Sequence, residues 1–121
     1  MAAGLVSISA VTFAVADMEA SVGFYSSLGF ELLYGGPGAS FSSFSVGSGY
    51  LNLQADDARP VTGRSWGRVV IWVSDVDEMY RTVLRAGWGT ETEPADAPWG
   101  ERYFHVRDPD GNELSFAKPI G

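Results

Sequence analysis

"VTFAVADMEASVGFYSSLGF", residues 11 to 30, and "VVIWVSDVDEMYRTVLRAGW", residues 69 to 88, are one passage written twice. Shifted by 58 positions, Val11 falls on Val69, Val15 on Val73, Asp17 on Asp75 and Gly29 on Gly87, with Phe30 on Trp88 directly after the glycine. Self-similarity of this kind marks a supersecondary unit used more than once. Each copy opens on an apolar run of strand type. An Asp follows where a helix N-cap is needed, then a short amphipathic helix, then a Gly where the helix must stop. In the second copy Glu78 stands three positions after Asp75, the spacing of a capping box.

Working outward, "FELLY", "SFSSFSV" and "YLNLQA" follow the first helix, punctuated by "GGPG" and "GSG". "WGTETE", "ERYFHVR" and "NELSFA" follow the second, punctuated by "PADAPWG" and "DPDG". Pro presets φ in such turns and Gly takes the angles other residues resist, so each piece reads as a strand between turns. Both copies therefore spell β-α-β-β-β. The polar, turn-rich "DDARPVTGRSWG" between them reads as a linker. The expected organisation is an α+β fold in a single domain over residues 1–121. Its first module covers residues 6–55, its linker 56–66 and its second module 67–118.

Composition narrows the function. A chain of 121 residues can bury a core without staples, and its lack of cysteine excludes disulfides, a thiolate nucleophile and Cys-ligated metal. Fifteen acidic residues against eight basic ones give a net charge of −7. Such a chain repels phosphate backbones, which argues against nucleic acid and anionic membrane as partners and favours a cationic ligand. The only lysine, Lys118, lies near the C-terminus, which disfavours Schiff-base chemistry. The first residues lack a basic stretch and a long apolar run, so a cytoplasmic location is expected.

The repeated βαβββ unit, the Asp-[Val/Met]-[Asp/Glu] that follows each first strand and "PWGERYFHVRDPDGNEL" at residues 98–114 together resemble the vicinal oxygen chelate superfamily. This is the group of glyoxalases, bleomycin-resistance proteins and extradiol dioxygenases. The resemblance implies eight strands curled into an open trough or barrel around a cavity, with the helices outside. Strand alternation then sorts the side chains by face. Val11, Phe13, Val15, Leu51, Leu53, Val69, Ile71, Val73, Leu114 and Phe116 should pack outward on the helices. Thr12, Tyr50, Asn52, Gln54, Arg68, Val70, Trp72, Glu113, Ser115 and Ala117 should face the trough.

Metal-dependent relatives place His, Glu or Gln at four inward positions, and the matching ones here are Ala10, Asn52, Arg68 and Ser115. Ala10 has no donor atom, Arg68 is a permanent cation, and the other two are weak neutral ligands. Neither a metal nor another cofactor is expected. "PWGERYFHVRDPDGNELSFA" looks most like the metal-free bleomycin-resistance branch, whose members sequester a drug and usually form homodimers with the ligand in clefts between subunits.

The expected protein is thus a homodimeric binder of an aromatic, antibiotic-like compound, neutral or cationic, with binding ahead of catalysis. Trp72, Trp99 and Trp66 are candidate stacking faces, with Tyr50, Tyr103 and either Phe41 or Phe44 as further walls. Arg68, Asn52, Ser115 and the single histidine, His105, are candidate polar contacts. The alternative is a small glyoxalase-like enzyme, an isomerase, lyase or dioxygenase, using His105 as general acid–base with Glu113 as its partner. A relocated metal held by His105, Glu113 and Gln54 is a weaker variant of it. Asp17 and Asp75 are assigned to helix caps, and Asp108, Asp110 and Asn112 to the hairpin turn.

Overall fold

In the computed structural model, residues 3–56 and 67–120 are described. The first module runs β1 (Ala10–Val15), α1 (Met18–Ser27), β2 (Glu31–Tyr34), β3 (Phe41–Val46) and β4 (Gly49–Ala55). The second runs β5 (Arg68–Trp72), α2 (Val76–Arg85), β6 (Ala95–Ala97), β7 (Glu101–Arg107) and β8 (Glu113–Pro119). Each forms a mixed four-stranded sheet, ordered β1-β4-β3-β2 and β5-β8-β7-β6, in which the first strand pairs parallel with the last. The repeat in the sequence is a repeat in the fold.

Local chemistry explains the helices. The Asp17 side chain accepts the backbone N–H of Ala20 at 3.1 Å, and Asp75 does the same for Glu78 at 3.0 Å. Each such cap satisfies an orphan donor and stabilises its helix by about 1 kcal/mol. The expected capping box is only half made, because the Glu78 carboxylate turns along the helix to Arg81 and Arg85. Gly29 and Gly87 end the helices at φ of 95° and 91°, a region that costs a Cβ-bearing residue energy.

One strand was misplaced. "WGTETE" forms no strand, and β6 begins just beyond it, after Pro94, within a stretch read as a turn. The chain still runs beside β7 there, where Glu91 donates its N–H to the carbonyl of His105 at 2.9 Å. Pro94, with no N–H to give, breaks the ladder before it becomes regular.

The apolar sides of both sheets feed one core. Phe13, Val15, Leu51 and Leu53 of the first module and Phe104, Val106, Leu114 and Phe116 of the second are all buried. Phe30 and Phe116 meet across the modules with ring centroids 6.3 Å apart. Each buried Phe or Leu contributes about 1.5–3 kcal/mol. Phe44, a candidate wall of the cavity, is buried in this core beside Tyr25 and Phe30. Its alternate-face assignment fails because β3 turns Ser43 and Ser45, not Phe44, away from α1.

The modules are also locked by hydrogen bonds from α1 to the 108–112 turn. The Tyr25 hydroxyl donates to Asp108 Oδ2 at 2.7 Å, and Ser21 Oγ donates to Asp110 Oδ2 at 3.3 Å. The Ala16 N–H donates to Asp110 Oδ1 at 2.8 Å. Asp108 further accepts the N–H groups of Asp110 and Asn112 and the Asn112 side-chain amide. Burial nevertheless raises the Asp108 pKa above its ordinary value, and burial beside Asp108 raises that of Tyr25 well above its own. The turn residues thus do more than make a turn.

No strand of one sheet pairs with a strand of the other among the described residues, so the eight strands do not close into a barrel. Among the described residues, β1 and β5 each pair with a strand on one side only. No described helix is long and apolar enough to cross a membrane. Apart from Asp56, the expected linker lies outside the described residues.

Candidate functional site

The core-facing side of the second sheet is fixed by Val69, Ile71, Phe104, Val106, Leu114 and Phe116, so the pleat sends their neighbours to the opposite face. There a cavity of about 170 Å³ opens. Val70, Ser115 and Ala117 of β5 and β8 form its base, and Tyr103 and His105 of β7 form a wall. Arg68 and Glu101 sit at opposite ends. β-Sheet register sets this polarity, since Arg68 pairs with Glu113 at the start of β8 and Glu101 with Pro119 at its end. Trp99 stands over the Glu101 end, stacked on Tyr103 at 6.1 Å with planes 23° apart. Tyr103 in turn lies 5.0 Å from the His105 ring.

The polar groups hold one another. His105 Nδ1 lies 2.5 Å from Ser115 Oγ. Partial burial, and then the nearby Arg68 charge, lower the His105 pKa below its ordinary value, favouring the neutral ring. Arg68 forms an ion pair with Glu113, and Arg107 approaches the other Glu113 oxygen at 3.6 Å while also pairing with Glu91. Glu113 is therefore a buried acid between two guanidinium groups, and the histidine contact expected of it is made by Ser115 instead.

Of the expected binding residues, the structure gathers Trp99, Tyr103, His105, Arg68 and Ser115 around this cavity. Trp72 shares their face by alternation but lies outside the lining, 67% exposed, with its indole N–H donated to Glu101. Tyr50 and Asn52 belong to the first module's sheet, and neither lines the cavity. Asn52 donates to Thr12 Oγ1 at 3.4 Å, and its own carbonyl oxygen is buried with no partner among the described residues. Gln54 is spent on the Ser40 carbonyl. Trp66 lies outside the described residues. Glu101 was missed, although the alternation Glu101, Tyr103, His105 within "ERYFHVR" carried the signal.

Three of the four positions that the resemblance marks for metal ligands, Ala10, Arg68 and Ser115, do not suit a metal ion. Ala10 offers no donor, the Arg68 guanidinium is committed to Glu113, and Ser115 Oγ to His105. No group of three or more His, Asp or Glu residues is placed so that it could hold a metal ion among the described residues.

The fold and the paired modules match known proteins. Residues 7–116 match the model of the Glyoxalase/Bleomycin resistance protein/Dioxygenase superfamily, and the chain belongs to that superfamily. TioX from Micromonospora sp. ML1 is similar in structure, with a TM-score of 0.76 and 28% identity, over 94% of this chain and 99% of that one. A bleomycin resistance determinant encoded on the transposon Tn5 superposes with a TM-score of 0.78 at 21% identity, over 94% and 98% of the two chains. A bleomycin-binding protein complexed with bleomycin gives 0.75 at 21%, over the same shares. No curated protein sequence matches the chain significantly.

Proposed function

We propose that this protein is a metal-independent binder of a small aromatic compound, of the bleomycin-resistance type, acting as a cytoplasmic homodimer. The observation that carries the reading is an aromatic-walled cavity in which His105 is held by Ser115 and Arg68 by Glu113. Trp99, Tyr103 and His105 offer ring faces or edges to a flat guest, each worth about 0.5–1.5 kcal/mol beyond its buried area. The bleomycin complex of a relative with the same fold supports a small molecule as the guest.

The second subunit follows from size and exposure. A cavity of about 170 Å³ is smaller than the roughly 300–1,000 Å³ that enclose a drug-sized ligand. Tyr50, Val70 and Trp72 are about half or more exposed, and among the described residues β1 and β5 each have one edge that pairs with no strand. A second copy laid against these surfaces would bury them and deepen the cleft.

The superfamily also contains enzymes, and a reaction here would use His105 with Glu113. Against it, Glu113 is engaged by Arg68 and Arg107, and His105 by Ser115, so that pair makes no contact with each other. The test is a ligand screen read by tryptophan fluorescence on the wild type, Trp99→Ala and His105→Ala. A binder loses most affinity with Trp99→Ala. A turnover abolished by His105→Ala but kept by Trp99→Ala would sink the proposal.

A further inference from the structure

We infer that Glu101 sets the charge of the guest, making the cleft selective for a planar aromatic cation. The inference rests on the reading of this cavity as a binding cleft. Each oxygen of the Glu101 carboxylate accepts an indole N–H, Oε2 from Trp72 and Oε1 from Trp99, both at 3.0 Å. The two donors come from separate parts of the module, the end of β5 and the turn before β7. They fix the carboxylate in place. Being neutral, they leave its charge uncompensated.

The other acids around the sheet are differently served. Glu113 lies between Arg68 and Arg107, Glu91 pairs with Arg107, and Asp77 and Asp96 both pair with Arg102. Glu101 lines the cavity and has no cationic partner among the described residues. A carboxylate oxygen holds more than one hydrogen bond, so each still has room for an ammonium or amidinium N–H. Beside it stand the stacked faces of Trp99 and Tyr103, whose quadrupoles attract positive charge.

Geometry limits the guest further. Glu101, Tyr103 and His105 succeed one another on one face of β7, so the carboxylate and the imidazole are anchored roughly 13–14 Å apart. A guest of two or three fused rings with its charge at one end spans that distance, its cation on Glu101 and its rings over Tyr103.

The test compares two planar three-ring probes at mildly alkaline pH, proflavine as the cation and acridine as its neutral counterpart, by calorimetry on the wild type, Glu101→Gln, Glu101→Asp and Trp99→Ala. Proflavine should bind about tenfold more tightly than acridine. Glu101→Gln should erase that advantage by weakening proflavine far more than acridine, Glu101→Asp should keep part of it, and added salt should shrink it in the wild type. Trp99→Ala should weaken both probes. Equal affinities, unchanged by Glu101→Gln but lowered by Trp99→Ala, would overturn the role of Glu101 and leave the cleft standing. Loss of both probes alike in Glu101→Gln would also overturn it, making the carboxylate only a post for two indoles. Binding of neither probe to the wild type would overturn this inference together with the reading of the cleft.

Discussion

α1 and α2 occupy equivalent places in two copies of one unit, yet they are buried to different depths. Met18, Ser21, Val22, Phe24 and Tyr25 of α1 are buried, against only Val76 and Val83 of α2. The difference lies in what each helix meets. α1 covers its own sheet and also receives the 108–112 turn of the other module, whereas α2 covers β7 and β8 and turns Glu78, Arg81 and Arg85 to solvent. The opposite sheet faces differ just as much. The first presents Thr12, Tyr50, Asn52 and Gln54, and the second holds the aromatic cavity. A symmetric backbone has been given one module that fastens and one that receives.

This division can be broken from either side, and the fastening should fail most visibly. Asp108→Ala strands the Tyr25 hydroxyl and two turn N–H groups, so unfolding by denaturant should show a loss of about 3 kcal/mol or more. Asp75→Ala, which removes only the α2 cap, should cost about 1 kcal/mol. Similar losses for the two variants would mean that the modules do not depend on that clamp.

On the receiving side, Trp99→Ala should weaken binding of a flat ligand by roughly 1–3 kcal/mol, ten- to a hundredfold. Trp72→Ala should cost less, since Trp72 reaches the cavity only through Glu101. Reversal of that order in a fluorescence titration would shift the site toward β5. For the assembly, Val70→Glu should convert a dimer into the 13.0 kDa species by sedimentation; a wild type already at that mass would contradict the dimer.

The smallest effect is on pH. The folded pKa of His105 lies below its unfolded value, so its contribution is intact above about pH 6.5 and is lost as the pH falls through the folded pKa. Asp108 runs the other way. Its raised folded pKa means that its contribution is complete below about pH 3.9 and is lost as the pH rises through the folded value. Urea unfolding across the acid range should lose its shallow decline just below pH 6.5 in His105→Gln, and an unchanged profile would show that the ring is already free in solvent.

Most of the fold was legible because it rests on local signals repeated twice. Asp17 and Asp75 cap where they were expected, and the glycines after each helix take the left-handed turn. Strand alternation put Phe13, Ile71 and Phe116 in the core. What escaped was long-range or depended on strand ends. The bonds from Tyr25 to Asp108 and from Ala16 to Asp110 join residues 83 and 94 positions apart, and no local pattern announces them. Alternation gave Trp72 the right face but not its place along it, beyond the edge of the cavity. Glu101 was passed over because a charged residue at the start of a strand looks like a solvated one until two indoles are seen to hold it.

The clamp on α1 also has a meaning in time. A chain is made from its N-terminus, so α1 is available long before the turn that receives Tyr25 and Ser21 exists. Until residues 108–112 have been synthesised, the first module carries a buried-type phenol and hydroxyl with nothing to bond to. Its apolar face lacks its cover as well. The two halves, duplicated in sequence, cannot mature one after the other; the first is finished by nearly the last turn of the second.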